Sequence, residues 1–316
     1  MTETLLLQLA QIASVVLLAP LLTGIVRRTK ARLQRRQGPS VLQPYRDIAR
    51  LLRKETVVAT NASWLFTGAP FFIFAATWLA AILVPTFSFA TGFGAMADLI
   101  AIVGLLAGAR FALALAGLDI GTSFGGLGAS REMMIASIAE PAVLMLIFAL
   151  SLVAGTTRLP DIASFVQTVA FGPHISLMLA FVGLAMIAVA ENGRIPVDNP
   201  ATNLELTMVH EAMVLEFSGR HLALIELAQS LKLLLYISLL GALFVPWGIV
   251  PAGSSFAGTA LAALIYVAKL YAGAVLLGVF EVSMAKMRVF RVPQFIGVAL
   301  MLGLLAALLR LVSQGL

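Results

Sequence analysis

A chain of 316 residues with 21 Lys and Arg and 15 Asp and Glu is only 11% charged, where soluble domains average about 25%. Apolar residues make up 60% of it, and uncharged runs such as residues 5–26 exclude a soluble enzyme, because segments of that length and composition belong in a bilayer. The chain has no cysteine, so it supplies neither a disulfide nor thiolates for an iron-sulfur cluster or a structural zinc, and any cluster chemistry sits on another polypeptide.

In chain order, the first segment has an acid where a signal peptide has basic residues and about 22 apolar residues, which predicts a retained transmembrane helix. Spans are expected over residues 5–26, 65–84, 96–118, 132–154, 174–190, 222–245, 257–280 and 293–312. This is an all-α integral membrane protein of about eight transmembrane helices, one domain over residues 1–316. In the first connection, QPYRDIARLLRKE puts Tyr45, Ile48, Leu51 and Leu52 on one helical face, with Arg46, Arg50 and Arg53 opposite and Lys54 at the end. Pro44 suits a first helical position, so an amphipathic helix over residues 44–54 is predicted in the headgroup plane of the lipid bilayer. Ten of the 21 cations lie between Arg27 and Lys54 without interleaved aromatics, so the net charge of +6 is not a nucleic-acid footprint. Cations crowd alternate connections, and the positive-inside bias then places both termini on the non-cytoplasmic side. Gly104 and Gly108 form a GxxxG pair, which predicts close approach of two helices.

Three motifs fail on context. GTSFG at residues 121–125 matches a nucleophile elbow but is expected in a Gly-rich loop between membrane helices, with no strand before it. His210 and Glu211 begin an HExxH pattern that ends on Val214, so no metal site is predicted. GGLG at residues 125–128 lacks the spacing of a dinucleotide fingerprint.

The informative residues are ionisable groups within or at the edges of apolar segments: Glu140, Glu205, Glu211, Glu216, Glu226, Lys232, Lys269 and Glu281. A central charge costs roughly 2.5–3.5 kcal/mol, so eight unpaired ones would approach roughly 20–28 kcal/mol. Helix packing alone does not require that expense. Six acids against two bases cannot all pair, so protonation change near neutral pH becomes possible for some of them. Glu205 and Glu216 lie about three helical turns apart, which places them on one face of a short tilted helix from Thr202 to Ser218, ending where Gly219 interrupts the segment. A row of such acids suits a proton relay; the structural alternative pairs them with Arg194, Arg220, Arg131 and Lys232. Lys269 and Glu281 are expected to snorkel or pair at helix ends. In AENGRIPVDNPATNLE, Glu191 and Arg194 lie three apart, and Pro196 and Pro200 stiffen a loop carrying Asp198 that is shaped for a partner.

ENGRIPVD resembles the E-x-x-R-x-P-F/V-D loop of the membrane subunit shared by respiratory complex I and group 4 membrane-bound nickel-iron hydrogenases. ARLQRRQGPSVLQPYRDIARLLRKE resembles that family's first loop. REMMIASIAEP matches its Arg and Glu nine residues apart, at Arg131 and Glu140, and EFSG from Glu216 matches its E-Y/F-S-G. The acidic segment LELTMVHEA departs from the E-S-E-L-V of complex I, as does the shorter first loop, and both point to the hydrogenase branch, the formate hydrogenlyase type. The resemblance implies a non-catalytic subunit of a bacterial or archaeal cytoplasmic (inner) membrane. Its implied partners are hydrogenase large and small subunits, a ferredoxin-like iron-sulfur subunit and antiporter-like membrane subunits. The nickel-iron centre and clusters would lie on those partners, with no cofactor on this chain. The resemblance carries Glu140, Glu216, Glu191, Arg194 and Asp198 over position by position, and Glu205 and Glu211 by acidic character alone; with the buried-charge reading, the expected relay is Glu140, Glu205, Glu211, Glu216 and Glu226, and the expected docking surface is Glu191, Arg194, Pro196, Asp198, Arg131 and Arg220. The alternatives are a quinone-binding subunit of an NADH-quinone oxidoreductase and a stand-alone proton-coupled transporter.

Overall fold

In hydrocarbon, backbone amides and carbonyls have only each other as partners, so an apolar chain of this length folds as helices. The computed structural model describes residues 2–89, 93–168, 175–198, 209–251, 254–288 and 291–315. Among them are eleven α-helices and no strand: α1 (Thr2–Leu33), α2 (Gln43–Arg53), α3 (Trp64–Leu83), α4 (Leu99–Asp119), α5 (Ser123–Ala154), α6 (Leu159–Thr168), α7 (Ile175–Glu191), α8 (His210–Val214), α9 (Gly219–Phe244), α10 (Phe256–Ser283) and α11 (Val292–Gly315). Seven are long and apolar enough to cross a membrane, and α7 is a shorter apolar helix. This fits the expected eight spans of an all-α membrane protein. Trp64 at the start of α3 and Trp247 beyond the end of α9 are exposed, as in the aromatic belts of membrane proteins.

Local chemistry sets the boundaries. Ser63, Asp98 and Thr122 accept hydrogen bonds from the free amides at the starts of α3, α4 and α5. Gly155, at φ +74°, ends α5. Helix α2 begins one residue before its expected start, with Arg46, Arg50, Arg53 and Lys54 exposed. Its Tyr45 hydroxyl donates to the Leu17 carbonyl of α1, tying the amphipathic helix down.

Helix α9 packs against α1, α2 and α3, α5 against α4 and α11, and α11 against α7, while α10 lies outside α1. One apolar core runs through most of the bundle and includes Leu22, Ile102, Leu146, Ile187, Leu231 and Leu235. A second forms around Phe66, Leu113, Met213 and Phe217, with Phe66 and Phe217 stacked at 4.0 Å.

Three local expectations are corrected. Residues 121–125 are not a loop throughout, since Ser123 opens α5, capped by Thr122; the helix therefore starts nine residues before the expected span. Gly104 faces open space and Gly108 has only ordinary contact with Phe72. Close helix approach falls instead at Gly125, where a Cβ would strike the Gly117 carbonyl, and at Gly128, where it would lie 2.9 Å from the Val209 carbonyl oxygen. The acidic helix does not run to Ser218: α8 ends at Val214 and Glu216 stands in the following turn, because Phe217 turns inward to stack on Phe66. Ser218 then bonds both the amide and the carbonyl of Val57, and Gly219, at φ +53° and with a prospective Cβ 2.5 Å from the Glu55 carbonyl oxygen, starts α9. Glu205 lies outside the described residues. Helix α6 was not anticipated; Leu159, Ile162, Ala163 and Val166 bury its inner face.

Candidate functional site

Arg110 stands in the middle of α4 and is 7% exposed. A guanidinium at such a depth needs acids around it, and the neighbouring helices supply three. Its Nη2 donates to Glu191 Oε1 at the end of α7. Its Nε lies 3.5 Å from Glu132 and its Nη1 3.9 Å from Glu140, both on α5. Lys232 of α9 meets the other Glu191 oxygen at 3.0 Å. Two cations thus face three carboxylates. Arg110 Nε and Nη1 accordingly make ion-pair contacts without hydrogen-bond geometry, as does Glu191 Oε2.

This cluster lines a cleft that encloses about 910 Å³ counting its open mouth, and the cleft reaches from Arg110, Glu132 and Lys232 to Asp198, His210 and Glu211 in the connection after α7. His210 and Glu211 belong to α8, which Gly128 seats against α5. Burial pushes His210 down to about 4, with Lys232 acting in the same direction. The imidazole is therefore neutral at pH 7. Burial, with Glu226 and Asp198 nearby, raises the Glu211 carboxyl.

Residues 191–198 form a tight turn in which the Arg194 amide donates to Val189 and the Val197 and Asp198 amides donate to Arg194. Asp198 pairs with Lys286 at 2.8 Å, the Pro196 carbonyl accepts from the Met287 amide, and Arg194 lies 3.4 Å from Glu281. Burial pulls Arg194 below the usual guanidinium range, opposed by Glu281.

The expected relay residues are therefore not all together. Glu191 is at the centre of the cluster and Glu140 at its edge, its side chain 41% exposed. Glu211 lines the cleft, Glu226 is half-buried on α9, and Glu216 and Arg220 are exposed. Sequence reasoning missed Arg110 and Glu132. A lone arginine inside an otherwise apolar run was the available signal for the first.

Apolar helices enclosing a paired charge cluster define a multi-pass membrane protein that keeps ionisable groups between its spans. Residues 6–312 match the family described as NADH dehydrogenase, and the chain belongs to that family. Formate hydrogenlyase subunit 4 of Escherichia coli (strain K12) is 34% identical over 276 residues, 87% of this chain and 89% of that protein. Hydrogenase-4 component C of the same organism is 36% identical over 242 residues, 76% of this chain and 75% of that one. An NADH-quinone oxidoreductase subunit of Thermomicrobium roseum (strain ATCC 27502 / DSM 5159 / P-2) is 32% identical over 250 residues, covering 70% of this chain and 71% of that one. Among solved structures, a chain of the membrane-bound sulfane sulfur reductase, an archaeal respiratory membrane complex, shares the fold with a TM-score of 0.84 over 98% of this chain and 99% of that one, at 19% identity. The resemblance expected from the ENGRIPVD loop holds.

Proposed function

We propose that this chain is the membrane-anchoring and energy-coupling subunit of a complex I-like hydrogenase, docking a hydrophilic nickel-iron and iron-sulfur arm and relaying its redox changes to proton or sodium translocation. The relatives in formate hydrogenlyase and hydrogenase-4 support the branch. In this reading the hydrogenase large and small subunits and a ferredoxin-like subunit carry all redox centres and sit on the 191–220 face, antiporter-like subunits lie alongside in the membrane, and both termini face away from the cytoplasm. This chain alone catalyses nothing.

The observation that carries the reading is the sharing of Arg110 and Lys232 among Glu132, Glu140 and Glu191 at the head of a cleft. With one acid in excess, a small change of field at the 191–198 turn decides which carboxylate holds a proton. In this reading Glu211 takes up protons at the cleft, with Glu205, Glu216 and Glu226 as further carriers; Glu191 and Glu132 exchange them around Arg110; Glu140 passes the charge laterally to a neighbour.

The test is the assembled complex carrying Glu140→Gln or Glu191→Gln. Viologen-driven hydrogen evolution in detergent stays within twofold of wild type, because no redox centre is touched, while ion movement into sealed vesicles falls several-fold. Unchanged ion movement in both variants refutes the relay.

A further inference from the structure

Glu281, in the last turn of α10, is 2% exposed although it lies near a helix end where solvent is close. Two cations from different segments converge on it: Lys30, in the last turn of α1, meets Oε2 at 2.5 Å, and Arg194 lies 3.4 Å from Oε1. The Lys30 contact is an ion pair out of line for a hydrogen bond. Where α1 and α10 meet, a Cβ on Gly278 would lie 3.0 Å from Thr29, so the two helices leave little slack there.

The same turn of chain is tied twice more to the connection after α10, through Lys286 to Asp198 and through the Met287 amide to the Pro196 carbonyl. Its other end is Glu191, held by Arg110 and Lys232. Residues 191–198 are thus a short rigid link with the membrane charge cluster at one end and the α10 terminus at the other. An acid in the last turn of a helix adds to the negative end of the dipole instead of neutralising it, and one cation would suffice to balance its charge. Two cations drawn to one buried acid from separate segments make it a registration point, since each would repel the other without it.

We infer that Glu281 is a positioning residue: by fixing Arg194 it sets where Glu191 stands between Arg110 and Lys232, so that force on the α10–α11 connection reaches the membrane cluster. This rests on the relay reading above. The exposed Arg288 and Arg291 flank the connection and give an acidic partner face a purchase on it.

The experiment compares Glu281→Gln and Glu281→Asp in the assembled complex by two measurements. The first is ions moved into sealed vesicles per hydrogen formed from reduced methyl viologen; the second is amide hydrogen exchange at residues 192–195, 197, 198 and 287. E281Q is expected to keep hydrogen evolution in detergent within twofold, lower the ion-to-hydrogen ratio at least threefold and speed exchange of those amides at least tenfold. E281D restores both to within twofold of wild type. A wild-type ratio in E281Q, whatever its exchange, overturns the inference while leaving the relay intact. No ion movement by the wild-type complex overturns the relay itself and the inference with it. Should E281Q not accumulate, Lys286→Gln cuts another tie between the same two segments and must lower the ratio likewise; a wild-type ratio there overturns the inference.

Discussion

Replacing Arg110 with Leu removes the cation nearest to three carboxylates and leaves Lys232 alone to face Glu132, Glu140 and Glu191. Breaking a buried ion pair from one side costs about 3–5 kcal/mol, mostly the penalty of the stranded charge. Glu191 is the most exposed to this effect because its side chain is 2% accessible, although Lys232 at 3.0 Å retains part of its stabilisation. Glu191→Leu leaves Arg110 only its longer contacts to Glu132 and Glu140 and takes from Lys232 the acid it pairs with, at a similar cost. The double variant removes both charges and puts apolar groups in their place, an exchange that is often neutral, so it should be more stable than either single one. Additivity would put it at about 6–10 kcal/mol, and the coupling should make up at least about 3 kcal/mol of the difference. The cycle can be read from detergent-resistance titrations of the purified protein. Infrared difference spectra of the Arg110→Leu protein should also gain a protonated-carboxyl band at neutral pH, since one acid now does better as the neutral form. Single-variant costs that add to within about 0.5 kcal/mol, together with no new carboxyl band, would show that Arg110 and the acids merely coexist.

Gly125→Ala drives a Cβ into the Gly117 carbonyl, a backbone atom that cannot step aside, whereas Gly104→Ala meets nothing within 4 Å. Thermal unfolding should show the first destabilised by about 1–3 kcal/mol and the second stabilised by about 0.5–1 kcal/mol; equal effects would refute the helix contact. His210 is held down to about 4 in the folded protein, below the ordinary value near 6.5. The unfolded chain then binds the extra proton between those values, and stability from this group is present above about pH 6.5 and lost as pH falls toward 4. Unfolding titrations of His210→Gln between pH 7 and 4 should be flatter than wild type; an unchanged slope would place the titration elsewhere. Phe217→Ala removes the ring stacked on Phe66, with an expected loss of about 3–5 kcal/mol in the same unfolding measurement.

How much of this was legible beforehand depends on how local each signal is. Spans, the amphipathic α2 and the break at Gly219 are properties of contiguous residues, and the sequence pattern placed most of them within a few positions, the start of α5 and the end of α1 excepted. The charge cluster is assembled from four helices, so no single segment announces it. Glu191 reads as a loop residue until α7 is seen to carry it to the wall of the cleft, and Glu132 reads as a span terminus until the Thr122 cap and the Gly117–Gly125 contact move the start of α5 back. Arg110 was visible as the lone charge in its run, yet the run was read for its apolar length. The three-turn argument for Glu205 and Glu216 failed at Glu216 because a buried aromatic pair outweighs the continuation of a helix. Burial of Glu281 depends on α1, α10 and the 191–198 turn meeting, a tertiary fact with no local signature.

The cleft also says where an ion cannot go. Beyond Leu106, which lines both spaces, lies a second cavity walled by Leu99, Ile102, Val143, Leu146, Leu239 and other aliphatic side chains, with only the Tyr236 hydroxyl to receive a proton. Water gains nothing by entering a space so poor in polar partners, so a proton reaching Arg110 and Glu191 meets a dry barrier on the way to the far face. In the proposed relay the exit is instead the half-exposed Glu140 at the edge of the charge cluster, toward a neighbouring subunit rather than through this one. Proteoliposomes containing the chain alone should therefore hold a proton gradient as well as empty vesicles. Leu106→Ser opens the wall between the two spaces and adds a hydroxyl beside it, so it should increase the leak several-fold, at a stability cost of about 2–5 kcal/mol for emptying a buried leucine site. A wild-type leak, or a Leu106→Ser protein as tight as wild type, would mean that the aliphatic wall is not what directs the proton sideways.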